Sequence, residues 1–258
     1  MKYDLQKASP MKRLAAWLLD AILLCVLTSC FVWAVWDMTG AKDDGIKLNT
    51  LYEYYETKYD ISFTVNQETQ DAYNALTEDE RKAYDARYKE AEEAMINDPE
   101  YVESRMSWIQ SAILAVCIGI FLAKIVLEFV VPLMMRNGQT IGKKAFGLAV
   151  MRSNSVQING TRLFIRAILG KYTIETMVPI FLLILAFTSM GIVALILILV
   201  IAATQLILMI TTPTSARLHD LMADTVVVDM HSQLIFDSEQ ARTEYLQRIA
   251  AEKAQQST

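Results

Sequence analysis

Ionisable side chains standing inside apolar stretches are the places where this sequence could do chemistry. Asp20 lies in the stretch 14–36, and Arg13 stands at its head, seven residues or about two helical turns earlier and so on the same helix face. Lys124 and Glu128 lie in the stretch 109–135 at the i, i+4 spacing that lets opposite charges on one helix neutralise each other. An acid among apolar neighbours at membrane depth costs about 2.5–3.5 kcal/mol on insertion scales, so Asp20 needs a partner. Arg13, Lys124 and residues of the cytoplasmic half are the candidates. Two readings stand side by side. In one, Asp20, Lys124 and Glu128 form a proton or cation relay. In the other, Arg13 and Asp20 only fix helix packing, and Lys124 with Glu128 is a self-compensating pair near the inner end of its span, where lysine reaches out to water.

The remaining motifs speak against catalysis. The run Gly138-Gln-Thr-Ile-Gly-Lys-Lys-Ala-Phe-Gly-Leu148 lacks the glycine, four residues, then Gly-Lys-Ser/Thr spacing of a phosphate loop, and reads as a tight turn into a short basic helix. Asp220 stands beside His219, one of two histidines, with no convergent nucleophile. Cys25, Cys30 and Cys117 fall in apolar stretches, where cysteine behaves as a small apolar residue, and no disulfide framework or metal spacing is present. The expectation is a protein that is not an enzyme and carries no cofactor or metal.

The elements that must position these residues are membrane spans. With 53% hydrophobic residues, nine glycines and five prolines in 258, the chain is neither disordered nor fibrous. Its apolar residues sit in three blocks, 14–36, 109–135 and 177–210, each longer than the roughly 18 residues that mark a spanning helix. The third block has 34 residues, which as one helix would run about 51 Å against a hydrocarbon core of about 30 Å. Thr188-Ser-Met-Gly191 is its flexible break, so it divides into spans at 172–188 and 191–211. The alternative makes its first half interfacial or re-entrant and leaves three spans. At the N-terminus Leu27-Thr-Ser-Cys30 resembles a lipoprotein cleavage site, but Asp20 interrupts the apolar core and the apolar run continues to Trp36, so 14–36 reads as a span.

Charge orients the spans. From 37 to 107 there are 18 acidic against eight basic residues, a net of −10, which leaves 11 acidic and 16 basic residues elsewhere within the overall −5. Lys2, Lys7, Lys12 and Arg13 precede the first span, and Arg136, Lys143, Lys144, Arg152, Arg162, Arg166 and Lys171 follow the second. Basic flanks stay in the cytoplasm. The expected organisation is therefore a cytoplasmic N-terminus at 1–13, a span at 14–36, an acidic extracytoplasmic loop at 37–107, and a span at 108–135. A basic cytoplasmic segment at 136–171, two more spans and a cytoplasmic tail at 212–258 follow.

Between spans, Thr77-Glu-Asp-Glu80 forms a capping box heading a helix to Met95, and Leu51, Tyr54, Tyr55 and Tyr59 suggest an earlier helix. Residues 148–151 and 156–158 read as a short hairpin, with 225–229 as a third strand. An amphipathic helix is expected at 162–171, lying at the inner interface. The fold class is an all-α integral membrane protein with four transmembrane helices, an extracytoplasmic helical insert and a small cytoplasmic β element.

Three ordered segments, Arg13-Leu-Ala-Ala-Trp-Leu-Leu-Asp20, Gly138 to Leu148, and Arg217-Leu-His-Asp-Leu-Met-Ala-Asp-Thr-Val-Val-Val228, resemble the RDD family of prokaryotic membrane proteins, named for one arginine and two aspartates. The resemblance covers about two thirds of the chain and implies that Arg13, Asp20 and Asp220 are those three residues. The loop 37–107 is an insertion beyond the family pattern. The resemblance further implies a multi-pass protein of the bacterial plasma membrane that transports a ligand, with cation/proton exchange proposed for some members. A non-catalytic scaffold binding other proteins through its acidic loop is the alternative. Expected partners are the lipid bilayer, further copies in a homo-oligomer and another membrane protein, with no nucleic acid.

Overall fold

The computed structural model describes residues 8–256; Lys2 and Lys7 of the basic N-terminal flank lie outside them. In chain order the helices are α1 (Pro10–Val35), α2 (Ala41–Tyr59), α3 (Gln67–Ala75), α4 (Glu78–Ile96) and α5 (Pro99–Met134). A short α6 (Ile141–Ala145) leads into strand β1 (Leu148–Arg152). Then come α7 (Gly160–Leu185), α8 (Gly191–Thr211), α9 (Leu218–Ala223), strand β2 (Thr225–Asp229) and α10 (Glu239–Gln256). Four of these, α1, α5, α7 and α8, are long and apolar enough to cross a membrane. This is an all-α integral membrane protein with a two-stranded sheet.

The chain forms two compact units, one made of Cys30–Gly119, the other of the chain up to Ser29 together with the chain from Ile120. The Cys30–Gly119 unit is helical. Thr77 caps α4, accepting from the Glu80 amide while the Glu80 carboxylate accepts from the Thr77 amide, as the capping box predicts. Leu48, Tyr55, Met95 and Tyr101 form its buried core, with Tyr52, Phe63 and Trp108 packed against them. The Tyr55 hydroxyl donates to Asp98 at 2.7 Å, and Tyr52 and Tyr101 share a hydroxyl bond at 3.1 Å. The Asp98 side chain also accepts from the Glu100 amide at 2.8 Å, fastening the start of α5 nine residues before the span expected at 108–135.

In the other unit β1 and β2 pair antiparallel, with Val150 opposite Val227 and Ala149 opposite Val228. The period of two splits them cleanly. Leu148, Val150 and Val227 pack with Ala16 of α1 and with Ile158, while Ala149, Met151, Val226 and Val228 pack with Ile235.

The third expected strand pairs as read, but the hairpin is corrected. Ser155 takes a left-handed φ of 64°, and the hairpin shortens to one antiparallel bridge, Gln157 to Met151, closed by the Arg152 amide donating to the Val156 carbonyl at 2.9 Å, after which Val156 bridges to Phe236 beyond the sheet. The split at 171/172 is also absent, because no proline or cap interrupts the chain there and one helix, α7, runs through both segments.

Both α5 and α7 widen to π-type turns, over Ile125–Val130 and Ile165–Met177. Each wide segment ends just before a proline, Pro132 and Pro179. A proline inside a helix has no N–H and its ring crowds the carbonyl four residues back, here those of Glu128 and Glu175; a wider turn relieves the crowding.

Candidate functional site

Arg13 and Asp20 share a face of α1, yet they do not pair. The Arg13 guanidinium donates to the backbone carbonyls of Ser215 at 3.0 Å, Thr214 at 3.3 Å and Val227 at 2.6 Å. The planar five-donor fork suits several carbonyls at once, which a lysine could not match. It ties α1 to the segment after α8 and to β2. The Asp20 carboxylate instead accepts from the Thr140 hydroxyl at 2.5 Å and from the Gly142 amide at 2.8 Å, with the Lys143 amine 3.6 Å away. Thr140 caps α6, so Asp20 sits at the start of that short helix, where free N–H groups favour an anion. Gly142 is required there, since a Cβ would collide with the Ala16 carbonyl and the Asp20 carboxylate.

Lys124 and Glu128 do pair, at 3.2 Å, on one side of α5. Glu128 is also bound by Lys171 of α7, so one carboxylate bridges two lysines. The i, i+4 spacing makes the first contact legible and not the second, because α7 comes alongside only in the fold.

Asp220 on α9 has a different partner again. Its carboxylate is paired with Arg166 of α7, and both side chains are only 5% exposed. Arg166 also donates to the Thr225 hydroxyl at 2.6 Å, and Asp220 accepts from the Arg217 amide at 3.0 Å. Burial by itself pushes the Asp220 carboxyl up, but Arg166 beside it more than reverses this and holds it well below the usual carboxylate range. Helices α7 and α9 come close at Gly170, where a Cβ would strike His219.

His219 completes the arrangement. Burial lowers its pKa and keeps the ring neutral. Its Nδ1 is 2.8 Å from Glu175, so the tautomer is set with Nδ1–H donating to that carboxylate and Nε2 facing Arg166 at 3.4 Å. Gln205 of α8 donates to the same Glu175 oxygen at 2.9 Å, joining α7, α8 and α9.

These groups surround one cavity of about 230 Å³, into which Asp20, Lys124, Glu128 and Asp220 converge together with Arg13 and Lys143. Burial, and then the charge of Lys171, pushes the Lys143 amine down to about 7. All five residues singled out from sequence, Arg13, Asp20, Lys124, Glu128 and Asp220, therefore line the same space. Of the three candidate partners for Asp20, neither Arg13 nor Lys124 pairs with it, and residues of the 136–171 segment, Thr140, Gly142 and Lys143, do. The residues missed are Thr140, Gly142, Glu175 and Gln205, and the cavity roles of Lys143, Arg166 and Lys171, read from sequence only as basic flank. One signal was present: Lys171 and Glu175 stand i, i+4 at the edge of an apolar run, the same spacing as Lys124 and Glu128. Among the described residues no three His, Cys, Asp and Glu side chains stand together as a metal-binding set.

No curated protein and no solved structure matches this chain. A family model does: that of the RDD family matches residues 7–224, a span that holds Arg13, Asp20 and Asp220 and ends at the residue before β2. With most of its length covered by that match, the chain belongs to the RDD family.

Proposed function

We propose that this membrane protein works in a bacterial plasma membrane with both termini in the cytoplasm and moves a small charged solute by way of the cavity. The basic flanks of α1 and α5 support the orientation. The observation that carries the transport reading is the convergence of ionisable groups from three apolar helices on one cavity, with Asp20 from α1, Glu128 from α5 and Lys171 from α7. Charges at membrane depth are expensive and mark solute or ion paths. Asp20 is saturated by Thr140, Gly142 and Lys143, and Glu128 by two lysines. That favours a small ligand over a bare cation as the solute. Four spans make a thin pathway, and further copies of the chain in a homo-oligomer would widen it.

The test is flux. Purified protein in liposomes, challenged in turn with sodium, potassium and phosphate gradients, should dissipate one of them. Asp20→Asn, which removes the charge joining α1 to α6, should stop it at unchanged expression and oligomer size. If the wild type dissipates none, the transport reading falls.

A scaffold reading is favoured by a separate observation. Cys30–Gly119 has its own buried core, so it can present a stable surface to a partner. Deleting 40–105 should then abolish co-purification of a membrane-protein partner while membrane insertion persists.

A further inference from the structure

The cavity is lopsided in charge. Arg13, Lys124, Lys143, Arg166, Lys171 and Arg217 line it, against the carboxylates of Asp20, Glu128 and Asp220. Adding Glu175, which lies just behind it and is held by His219 and Gln205, still leaves the basic groups in excess. Nor are the basic groups equally matched. Asp220 is committed to Arg166, and Glu128 is divided between Lys124 and Lys171. The guanidinium of Arg13 rests on three carbonyls, which carry no net charge. Among the described residues no carboxylate lies within ion-pair distance of Arg217. Lys143 has the Asp20 carboxylate 3.6 Å away, but Thr140 and Gly142 already engage that carboxylate, and burial and then Lys171 push the amine down although Asp20 and Glu128 act the other way.

Burying positive charge without a counter-charge is costly, and a bound anion would remove the cost. The space is smaller than the roughly 300–1,000 Å³ clefts that enclose drug-sized ligands, and suits a compact polyatomic anion. Guanidinium and ammonium donors from several directions match tetrahedral oxygens. One wall is apolar, formed by Trp17, Ala21 and Leu24 of α1, and would lie along a hydrocarbon or glycerol portion where the anion carries one. We propose that this cavity binds a phosphate-type anion, supplied as free phosphate or as the phosphodiester of an anionic lipid headgroup. The proposal rests on the cavity being the ligand site of the transport reading and names the chemistry of what it takes.

The experiment is binding to the purified full-length protein in nanodiscs of neutral phosphatidylcholine. Inorganic phosphate and sodium chloride are titrated by calorimetry, and phosphatidylglycerol retained from preparation is counted by native mass spectrometry. Saturable phosphate binding identifies the free anion, and stoichiometric phosphatidylglycerol without phosphate binding identifies the headgroup; either supports the proposal. In both cases Lys143→Gln should weaken binding by about tenfold or more, the loss expected for one charge-assisted hydrogen bond, and Lys143→Arg should restore most of it. Neither anion binding to the wild type overturns the proposal, whatever the variants do, and so does equal binding by correctly folded Lys143→Gln. Anion binding without flux would refute transport and leave the site standing. Flux of sodium or potassium with no anion bound would refute the anion and leave transport standing.

Discussion

Charge is treated in opposite ways in the two units. In Cys30–Gly119 most acidic residues are exposed and none is buried, and the core is largely aromatic, with tyrosine hydroxyls among its part-buried polar contacts. In the other unit the interior itself is charged, and Arg166, Asp220 and Lys124 are all buried. An exposed charge keeps its hydration and can be exchanged at little cost. A buried one must find a partner, so its position constrains several elements at once. The first kind of charge informs orientation, whereas the second decides which helices meet.

The largest effect should come from splitting a buried pair. Arg166→Ala leaves Asp220 without its counter-charge and should cost about 3–5 kcal/mol, measured as thermal unfolding in detergent. Replacing both partners together, Arg166→Leu with Asp220→Leu, should recover much of that loss, because the uncompensated charge is gone. In Cys30–Gly119, Lys82→Ala breaks an exposed i, i+4 pair with Glu78 and should move stability by no more than about 0.5 kcal/mol. Similar losses from Arg166→Ala and Lys82→Ala would erase the contrast between the two units.

A smaller difference should separate two glycines. At Gly142 an added Cβ meets the Ala16 carbonyl and the Asp20 carboxylate, which are fixed by α1. Gly142→Ala should therefore cost about 1–3 kcal/mol, as overpacking does. At Gly45 of α2 the added Cβ meets only the Trp108 ring, at 3.2 Å from Nε1. There the gain in helix propensity, about 1 kcal/mol, offsets the push on the ring, and Gly45→Ala should be close to neutral.

How much of this could be read from residues follows the same division. The capping box at Thr77, the helix through Tyr59 and the strand at 225–229 were legible, because each is a local pattern in which one turn or one strand carries its own signal. Asp20, Lys124 and Glu128 were legible as misfits in apolar surroundings and Arg13 as the basic head of the first span, whereas Asp220 was marked only by the family resemblance. Their partners were not. Arg13 and Asp20 bind carbonyls, an amide and a hydroxyl, groups that every segment offers and no spacing advertises. Glu128 and Lys171 are 43 residues apart, and only the packing of α5 against α7 joins them. The continuous α7 was hidden for another reason: its basic first half and apolar second half differ in composition, although nothing in the backbone separates them.

The titration of the two units should differ in direction as well as place. In Cys30–Gly119, burial and then the bond to Asp98 push the Tyr55 hydroxyl up to about 12. A raised pKa stabilises the fold while pH stays below the ordinary value of 10 and loses that effect as pH climbs through the folded value, so this unit should weaken between about 10 and 12. Tyr55→Phe should shrink that alkaline step, leaving the part that Tyr52, likewise pushed up to about 12 by burial and its bond with Tyr101, contributes, and should lower stability near neutral pH by about 1 kcal/mol for the lost hydrogen bond. In the other unit Lys143 is shifted down to about 7 from 10.5, so the unfolded chain holds the proton more tightly, and stability should rise with pH between those values. Lys143→Met should flatten that rise and leave the tyrosine step untouched. The readouts are tyrosinate absorbance for the first and thermal midpoints at stepped pH for the second. A single shared pH dependence, moved by both variants alike, would mean that the two units do not keep separate electrostatics.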